Sequence, residues 1–397
     1  MRIAYICMDP GIPVFGSKGS SVHVQEMIRA LRRQKVEIRL ITANAGGNDL
    51  SNRQNLVVHQ LSAAPNSDPG ARERAALAAN SNVHEYLRRT GPYDFIYERF
   101  ALWSFAGMEH ARAAGIPGIL EVNAPLIEEQ ARHRVLVHKA LAERAARRSF
   151  RAASSILAVS AEVADWVSVY PEAAGRIHVI SNGVDTERFH PDVPPAVDRK
   201  PDSFTIGFVG TLKPWHDLDT LVDAFQQLHD RYSDVRLLIV GDGPRRKHLK
   251  DTLAARHLLK SAQLIGAVNP SEVPAWLTSM DAALALYPDL DHFYFSPLKV
   301  YEYLAAGLPV VATNIGKLGG VITHGENGFL CPPGDTAAVV SALETLRKDR
   351  DLRERMGKSA RALVSKAHTW DAVAKRVLEL AAPNESSHGI AAEGAGC

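Results

Sequence analysis

Short apolar runs alternate along this chain with longer stretches whose apolar residues recur at helical spacing. In the first half, strand-like runs occupy residues 2–7, 37–42, 56–60, 95–97, 118–122, 155–159 and 177–180. Helical patterns lie between several of them, at residues 22–33, about 71–89, 104–114 and 128–152. Strands and helices that alternate in this way form parallel sheets with crossover helices, so the pattern predicts one doubly wound domain.

The pattern is interrupted once and then starts again. Residues 182–203 are rich in proline, aspartate and other turn formers, which favours a hinge. A second series of strand-like runs follows at residues 205–209, 235–240, 262–265, 282–286, 310–313 and 328–331. A last helical pattern covers residues 370–381.

The length of the chain supports two domains, because 397 residues are too many for one ordinary core. The final stretch has one large apolar residue, Ile390, which favours disorder. We expect a first domain at 1–185, a hinge at 186–203, a second domain at 204–367, a last helix at 368–382 and a disordered tail at 383–397.

Composition and charge exclude several classes of protein. Hydrophobic residues make up 46% of the chain and charged residues 23%, as in soluble globular proteins. A net charge of +2 gives no global attraction to nucleic acid. The three cysteines, Cys7, Cys331 and Cys397, are far apart and predict neither a disulfide framework nor a metal site. The N-terminal apolar run is too short for a signal sequence or a membrane span, so we expect a cytoplasmic protein.

Residues 132–151 carry a local excess of positive charge. They include seven lysines and arginines and one acid, Glu143. On a helix, such a face could make a weak peripheral contact with an anionic membrane or with an anionic acceptor. The alternative is an ordinary solvated helix face.

Residues 293–313, FYFSPLKVYEYLAAGLPVVAT, place a helix start, a carboxylate and a buried strand in a row. Ser296 suits the N-cap and the following proline the first helical position, so the N–H groups of Leu298 and Lys299 would lie in an unpaired first turn. Such a turn attracts phosphate. Glu302 projects from the same side of the helix and could reach a ribose diol. The alternative is a capped helix of an ordinary α/β protein.

The segment SPLKVYEYLAAGLPVVAT resembles the nucleotide-binding helix of retaining glycosyltransferases of the GT-B fold, specifically glycosyltransferase family 4 (group 1, glycogen synthase-like). The resemblance extends over nearly the whole chain. It implies two Rossmann-like α/β domains with doubly wound parallel sheets that face each other across a cleft, and a last helix that crosses back to the first domain. It also implies a nucleoside diphosphate sugar, UDP-linked above all, bound by the second domain, a hydroxyl acceptor bound by the first, and no cofactor or metal ion. The setting would be natural-product or cell-envelope glycan biosynthesis.

The loop after the first strand, DPGIPVFGSKGSSVHVQEM, opens a helix with glycines and is a candidate phosphate or sugar cradle. We assign Gly16, Lys18 and Gly19 to donor binding. The resembled family usually has two glycines before this helix, and Lys18 stands at the first of these positions. The alternative is a surface loop whose glycines only turn the chain.

The segment GFVGTLKPWH, after the first strand of the second domain, resembles the family segment in which an arginine and a lysine neutralise the donor diphosphate. Thr211 stands at the place of the arginine and His216 at that of the lysine. We expect Lys213 and Lys299 to supply the missing charge as catalytic residues, while Gly210, Thr211 and His216 contact the donor. The alternative for Lys213 and His216 is loop solubility and a helix N-terminal contact.

Three polar residues of the first domain are assigned to the acceptor. Asn123 stands where many family members have a histidine that touches the transferred sugar, and we assign it to catalysis and to acceptor binding. Its amide could hydrogen-bond a sugar hydroxyl but could not act as a base. Glu98 and Arg99 would face the same cleft. The alternatives are a turn asparagine and a local ion pair.

Two glutamates spaced eight residues apart mark the resembled family, and this chain keeps only the second, Glu302. Tyr294 stands at the first position, whose glutamate normally contacts the donor sugar, so the identity of the sugar is open. The backbone near Gly241 and Val268 would position the nucleotide. The assigned donor contacts are Gly16, Lys18, Gly19, Gly210, Thr211, His216, Gly241, Val268, Tyr294, Ser296, Leu298, Lys299 and Glu302.

Two matches to Asp-x-Asp, at residues 217–219 and 289–291, are compatible with a divalent ion by their letters alone. We interpret them as loop acids because the resembled family works without a metal. Two further functions stay open at this stage. One is another GT-B enzyme, such as a sugar-nucleotide epimerase or a glycan phosphorylase, and the other is a non-catalytic nucleotide-sugar binder.

Overall fold

The computed structural model describes residues 1–46, 55–61, 68–198, 203–290, 293–294 and 296–382. The expected tail at 383–397, part of the hinge and Asp291 lie outside the described residues. We call the first seven strands with their helices the first half and the last six strands with theirs the second half.

The first half is a parallel sheet of seven strands in the order β3-β2-β1-β4-β5-β6-β7. The strands are β1 Arg2–Cys7, β2 Glu37–Thr42, β3 Val57–Gln60, β4 Phe95–Arg99, β5 Gly118–Val122, β6 Ser155–Ala158 and β7 Ile177–Val179. The helices are α1 Gly19–Arg33, α2 Pro69–Thr90, α3 Ala106–Ala113, α4 Leu126–His133, α5 Lys139–Ala152 and α6 Ala161–Ser168.

The second half repeats this architecture with six parallel strands in the order β10-β9-β8-β11-β12-β13. The strands are β8 Phe204–Val209, β9 Val235–Val240, β10 Ala262–Gly266, β11 Ala282–Ala285, β12 Val310–Thr313 and β13 Gly328–Cys331. The helices are α7 Leu218–Arg231, α8 Arg246–Ala255, α9 Val273–Leu277, α10 Leu298–Ala305, α11 Thr336–Lys348, α12 Arg350–Ala367 and α13 Trp370–Ala381. The prediction of two parallel α/β sheets is therefore confirmed.

The central strands of each sheet are buried on both faces, which explains why they are largely apolar. In β1, Ile3 and Tyr5 pack into one core cluster, while Ala4 and Ile6 pack into another on the opposite face. The second half likewise has one buried cluster on each side of its sheet. Loops at the carboxyl ends of the strands are left to carry function.

The last helix, α13, crosses back to the first half, as expected. It packs against α1 and β5, and Trp370 and Val377 are buried in the first half's core. The returning chain passes very close to the linker between the halves, because a Cβ on Gly183 would lie 2.5 Å from the backbone nitrogen of Trp370. Only glycine fits that crossing without a shift of the backbone.

The single helix expected at 128–152 is wrong, because the structure has two helices, α4 and α5, with a break between them. Two β-branched residues of the break, Val135 and Val137, disfavour a helix only slightly. The larger cause lies on α2, where the Glu73 carboxylate accepts hydrogen bonds from the N–H groups of Val137 and His138 at 2.9 and 2.8 Å. These hydrogen bonds satisfy two backbone N–H groups of the break, which therefore need no partner within a helix.

Acidic residues neutralise part of the basic segment on α5. Arg147 and Arg151 contact Glu172 at 3.0 and 3.1 Å, and Arg148 contacts Glu109 at 2.7 Å. Membrane contact through this segment stays a prediction. Within the described residues, no helix combines the length and the apolar character needed to span a membrane.

Candidate active site

Two hydrogen bonds join the segment before α10 to loops that follow strands of the first sheet. The Asn182 side-chain amide donates to the Ser296 carbonyl at 2.7 Å, and the Ser160 hydroxyl donates to the Tyr294 carbonyl at 3.0 Å. The start of α10 therefore lies where the carboxyl edge of the first sheet meets the second half.

The start of α10 differs by one residue from the prediction. Its N-cap is Pro297 and no side chain caps it. The expected N-cap, Ser296, instead accepts a hydrogen bond from the Asn182 N–H through its hydroxyl at 3.3 Å. The N–H groups of Leu298 and Lys299 consequently lack an intrahelical partner, as the first turn of any helix does.

Lys299 reaches from this first turn to the loop after β8. Its Nζ lies 2.9 Å from Nε2 of His216, whose Nδ1 lies 2.8 Å from the Thr211 carbonyl oxygen. Because a carbonyl only accepts, Nδ1 carries the imidazole proton, and Nε2 accepts a hydrogen bond from Lys299. The structure thus brings Lys299, His216 and Thr211 together, as the sequence predicts.

Burial sets the charge of this group. It lowers the pKa of His216 to about 3, and the charge of Lys299 lowers it further, so the imidazole is neutral. Burial also lowers the pKa of Lys299 to about 7, against the opposing effect of Glu302. Lys213 lies near enough to add to the depression of the His216 pKa, and its Nζ is 5.4 Å from the centre of the Trp215 ring.

Glycines let the ends of β8, β9 and β10 approach one another next to the Lys299 side chain. Gly210 has a φ of +144°, and a Cβ there would lie 3.2 Å from the Lys299 Nζ. Gly241 has a φ of +137°, and a Cβ there would lie 2.0 Å from the Gly210 carbonyl oxygen. Arg246, which sequence reasoning missed, donates to the Gly241 carbonyl at 3.4 Å. Val268, after β10, packs partly buried against the core.

Glu302 lies one turn into α10, and its carboxylate makes no hydrogen bond or ion pair with the residues that the structure describes. Burial raises its pKa to about 7, Arg188 opposes the rise, and Glu26 adds to it. Arg188 contacts the buried Glu26 of α1 at 2.8 Å. Sequence reasoning missed Glu26 and Arg188, although an acid on the apolar face of α1 is a signal for a buried partner.

Side-chain hydrogen bonds hold the glycine loop before α1 in place. The Gln25 side chain donates to the carbonyls of Val14 and Gly16, both at 2.8 Å. Lys18 folds back on the loop, where its Nζ donates to the Gly11 carbonyl at 3.2 Å. No side chain caps α1, which starts at Gly19.

The expectation that Glu98 faces the cleft is wrong, because β4 continues through Arg99. Glu98 is fully buried, accepts a hydrogen bond from the Ser104 hydroxyl, and has its pKa raised by burial to about 7. Arg99 points to the other face of the sheet, since successive strand residues alternate. There it contacts Glu121 at 3.4 Å, and Glu121 contacts His23 at 2.7 Å.

That buried network was not anticipated from the sequence. Burial alone would raise the pKa of Glu121, but His23 and Arg99 lower it to about 2, so the carboxylate is ionised. The His23 ring meets the Trp370 ring edge-on, with centroids 5.0 Å apart. Arg99 therefore helps to join α1, β5 and α13, and it is nine-tenths buried rather than open to an acceptor.

Asn123 follows β5, as expected, and its side chain has no partner. Both its amide nitrogen and its amide oxygen are shielded from solvent, and neither is hydrogen-bonded within the described part of the chain. Unpaired buried polar atoms are costly and uncommon. Such a group is available to a ligand that reaches it.

Tyr294 turns toward the first half. Its ring packs against the core cluster on one face of the first sheet. Burial raises the pKa of its hydroxyl, and a hydrogen bond to the Glu129 carboxylate adds to the rise. Tyr294 thus spans the junction between the halves.

Both carboxylates of the first Asp-x-Asp match make contacts with nearby protein groups. Asp217 caps α7 by accepting from the Thr220 N–H at 3.1 Å, and Asp219 contacts Arg245 at 2.7 Å and His248 at 2.9 Å. In the second match, Asp291 lies outside the described residues. No group of three or more candidate metal ligands occurs in the described ranges.

Two family models match consecutive parts of the chain. The model described as "Glycosyltransferase Family 4" matches residues 17–188, and that described as "Glycosyl transferases group 1" matches residues 191–363. The chain belongs to the family 4 glycosyltransferases of the GT-B fold. The resemblance to glycosyltransferase family 4 is therefore confirmed.

Curated relatives of this glycosyltransferase are similar at low identity. D-inositol 3-phosphate glycosyltransferase of Pseudarthrobacter chlorophenolicus is 27% identical over 387 residues, which cover 91% of this chain and 89% of that protein. Glycogen synthase of Mycobacterium tuberculosis is 27% identical over 227 residues, which cover 56% of this chain and 53% of the synthase. The alignment thus spans about half the length of the synthase.

Solved structures share the fold. Sucrose-phosphate synthase of Thermosynechococcus elongatus superposes with a TM-score of 0.73 at 17% identity, over 95% of this chain and 98% of that one. Anabaena HepE, in complex with UDP and glucose, gives a TM-score of 0.71 at 18% identity, over 96% of this chain and 98% of that one. These likenesses confirm the GT-B architecture.

Proposed function

We propose that this glycosyltransferase moves a sugar, with retention, from a UDP-linked donor to an acceptor hydroxyl. The observation that carries the proposal is the position of Lys299, which holds a cation beside an uncapped helix start while a neutral His216 accepts its hydrogen bond. A diphosphate needs both a positive charge and free N–H donors. The relative that binds UDP, HepE, supports the choice of nucleotide.

Each donor contact has a physical role in this proposal. The diphosphate gains negative charge as its bond to the sugar C1 breaks, and Lys299, Lys213 and the first turn of α10 stabilise that charge. One donor aimed at developing charge is worth roughly 3 kcal/mol. Glu302, whose carboxylate is unpaired, accepts hydrogen bonds from the ribose hydroxyls.

Retention follows if the acceptor oxygen attacks the face of C1 from which the diphosphate leaves. The departing phosphate oxygen then takes the proton of the acceptor hydroxyl. Such a step requires no base from the protein, which suits Asn123, whose amide binds a hydroxyl but does not accept its proton. Closure of the two halves around a bound donor would limit the access of water, which competes as acceptor.

The reaction needs no metal ion in this account. Lys299 and the helix start supply the charge that a divalent ion would otherwise provide, and Asp217 and Asp219 are engaged in local contacts. Full activity should persist after dialysis against EDTA. A loss that Mg²⁺ or Mn²⁺ restores would refute this part of the proposal.

The donor is tested by thermal shift with UDP-, dTDP-, GDP- and ADP-glucose. A ligand at about a hundred times its Kd stabilises the folded protein by about 2.7 kcal/mol. We expect the UDP sugar to raise Tm most, and the absence of any shift would contradict the donor assignment. Acceptor-free conversion to an isomeric sugar nucleotide would instead indicate an epimerase, and a requirement for inorganic phosphate would indicate a phosphorylase. Binding without any turnover would indicate a non-catalytic binder.

We propose natural-product or cell-envelope glycan biosynthesis in the cytoplasm as the setting. Arg147, Arg148 and Arg151 are paired with acids, so this part of α5 gives an anionic acceptor little additional attraction.

A further inference from the structure

The residue at the position of the missing family glutamate makes its contacts with the opposite half. The Tyr294 carbonyl accepts from the Ser160 hydroxyl, its ring packs on the first core, and its hydroxyl is hydrogen-bonded to the Glu129 carboxylate. Ser160 is the N-cap of α6 and Glu129 lies in the first turn of α4. Both helix starts lie at the carboxyl edge of the first sheet.

A donor bound in the proposed pose would direct its sugar toward the Glu129 carboxylate. In the proposed donor pose, the ribose lies at Glu302, one turn into α10, and the diphosphate lies at the uncapped start of the helix. A sugar attached to the far phosphate continues past that start, toward the segment that contains Tyr294. Glu129 is partly buried there, and the tyrosine hydroxyl occupies only part of the hydrogen-bonding capacity of its two oxygens.

We propose that Glu129 binds hydroxyl groups of the transferred sugar and that Tyr294 is a positioning residue that orients this carboxylate across the cleft. A carboxylate oriented by one donor can accept from two adjacent hydroxyls, which is the pattern a pyranose diol presents. The sugar-binding carboxylate is then carried by the first half. This inference rests on the proposed function, since it presupposes a bound sugar nucleotide.

The test separates binding of the sugar from binding of the nucleotide. Titration calorimetry measures Kd for UDP and for the tightest binder among UDP-glucose, UDP-galactose and UDP-N-acetylglucosamine. Glu129→Gln should weaken the UDP sugar about tenfold and leave UDP within about twofold, because only the sugar loses a charged acceptor. Tyr294→Phe should act in the same direction with a smaller effect. The neighbouring exposed carboxylate provides the matched control, and Glu128→Gln should change neither Kd.

Each alternative outcome is distinct. If Glu129→Gln weakens UDP and the UDP sugar equally, Glu129 only ties the two halves together, and the inference is wrong. It is also wrong if neither Kd changes. If the wild-type protein binds none of these nucleotides, the proposed function itself fails, and the inference fails with it.

Discussion

Burial lowers the pKa of Lys299 so far that a bound donor can change the charge of this residue. Its pKa of about 7 means that most molecules carry an uncharged amine above that pH. A diphosphate favours the charged form and raises the pKa again. Donor binding is therefore coupled to protonation of one residue.

The coupling predicts proton uptake on donor binding at pH 8. Below pH 7, Lys299 is already charged and binding takes up no proton, whereas at pH 8 uptake should approach one proton and affinity should be lower. Calorimetry with UDP-glucose in two buffers of different ionisation enthalpy measures the uptake. Lys299→Met should abolish it, while Lys213→Met, which removes a neighbouring lysine, should retain it. Equal binding enthalpies in the two buffers at pH 8 would refute the coupling.

Glu302 provides a second prediction, in which stability and function oppose each other. Its pKa is raised from 4.5 to about 7, so the folded protein loses stability as the carboxylate ionises with rising pH. Glu302→Gln removes this cost and should increase the free energy of unfolding by about 1–2 kcal/mol at pH 8, after discounting for partial exposure. The gain should shrink as pH falls toward 5, while UDP binding is weakened at both pH values. Urea unfolding measures the gain, and a gain that is independent of pH would contradict the assignment.

At the scale of elements, one carboxylate on α2 decides where α4 ends and α5 begins. Glu73 accepts from two backbone N–H groups in the break. Glu73→Ala leaves both donors without this partner and should cost about 1–3 kcal/mol in urea unfolding. Glu73→Gln keeps one acceptor oxygen and should cost less. Equal effects of the two variants would show that the carboxylate does not hold the break.

Local sequence predicted the elements well where local chemistry decides them. The apolar strands and the start of α10 to within one residue follow from neighbouring residues. The interpretation failed where a partner distant in sequence decides. Residues 98 and 99 continue β4 because β5 pairs with them, as Arg99 does with Glu121, and no signal at residues 95–99 reveals that partner.

The candidate site divides in the same way, because local sequence predicts some of its contacts and not others. Lys299, His216 and Thr211 come together because each lies at the end of a strand or the start of a helix, where a parallel sheet concentrates its loops. The pairing of Glu26 with Arg188 and the crossing of Tyr294 to Glu129 depend on how the two halves meet. An acid on the apolar face of α1 signals a buried partner, but charge and hydropathy along the chain do not identify that partner.

At the scale of the whole molecule, the two halves are joined through the linker, α13 and the segment before α10. Arg33 of α1 contacts Asp371 of α13 at 2.8 Å and Asp185 of the linker at 3.8 Å. Arg361 of α12 donates to the Phe189 carbonyl at 2.9 Å. The hydrogen bonds from Asn182 and Ser160 place the uncapped start of α10 against the first half, where donor and acceptor would meet.

The most direct test follows the anomeric proton of a UDP-sugar by NMR while the purified protein transfers the sugar to water or to a supplied alcohol. We expect slow release of the sugar with its anomeric configuration retained at first appearance. We also expect a rate at least about a hundredfold lower in Lys299→Ala. Release of the inverted anomer, or a rate unchanged by Lys299→Ala, would contradict the proposed function.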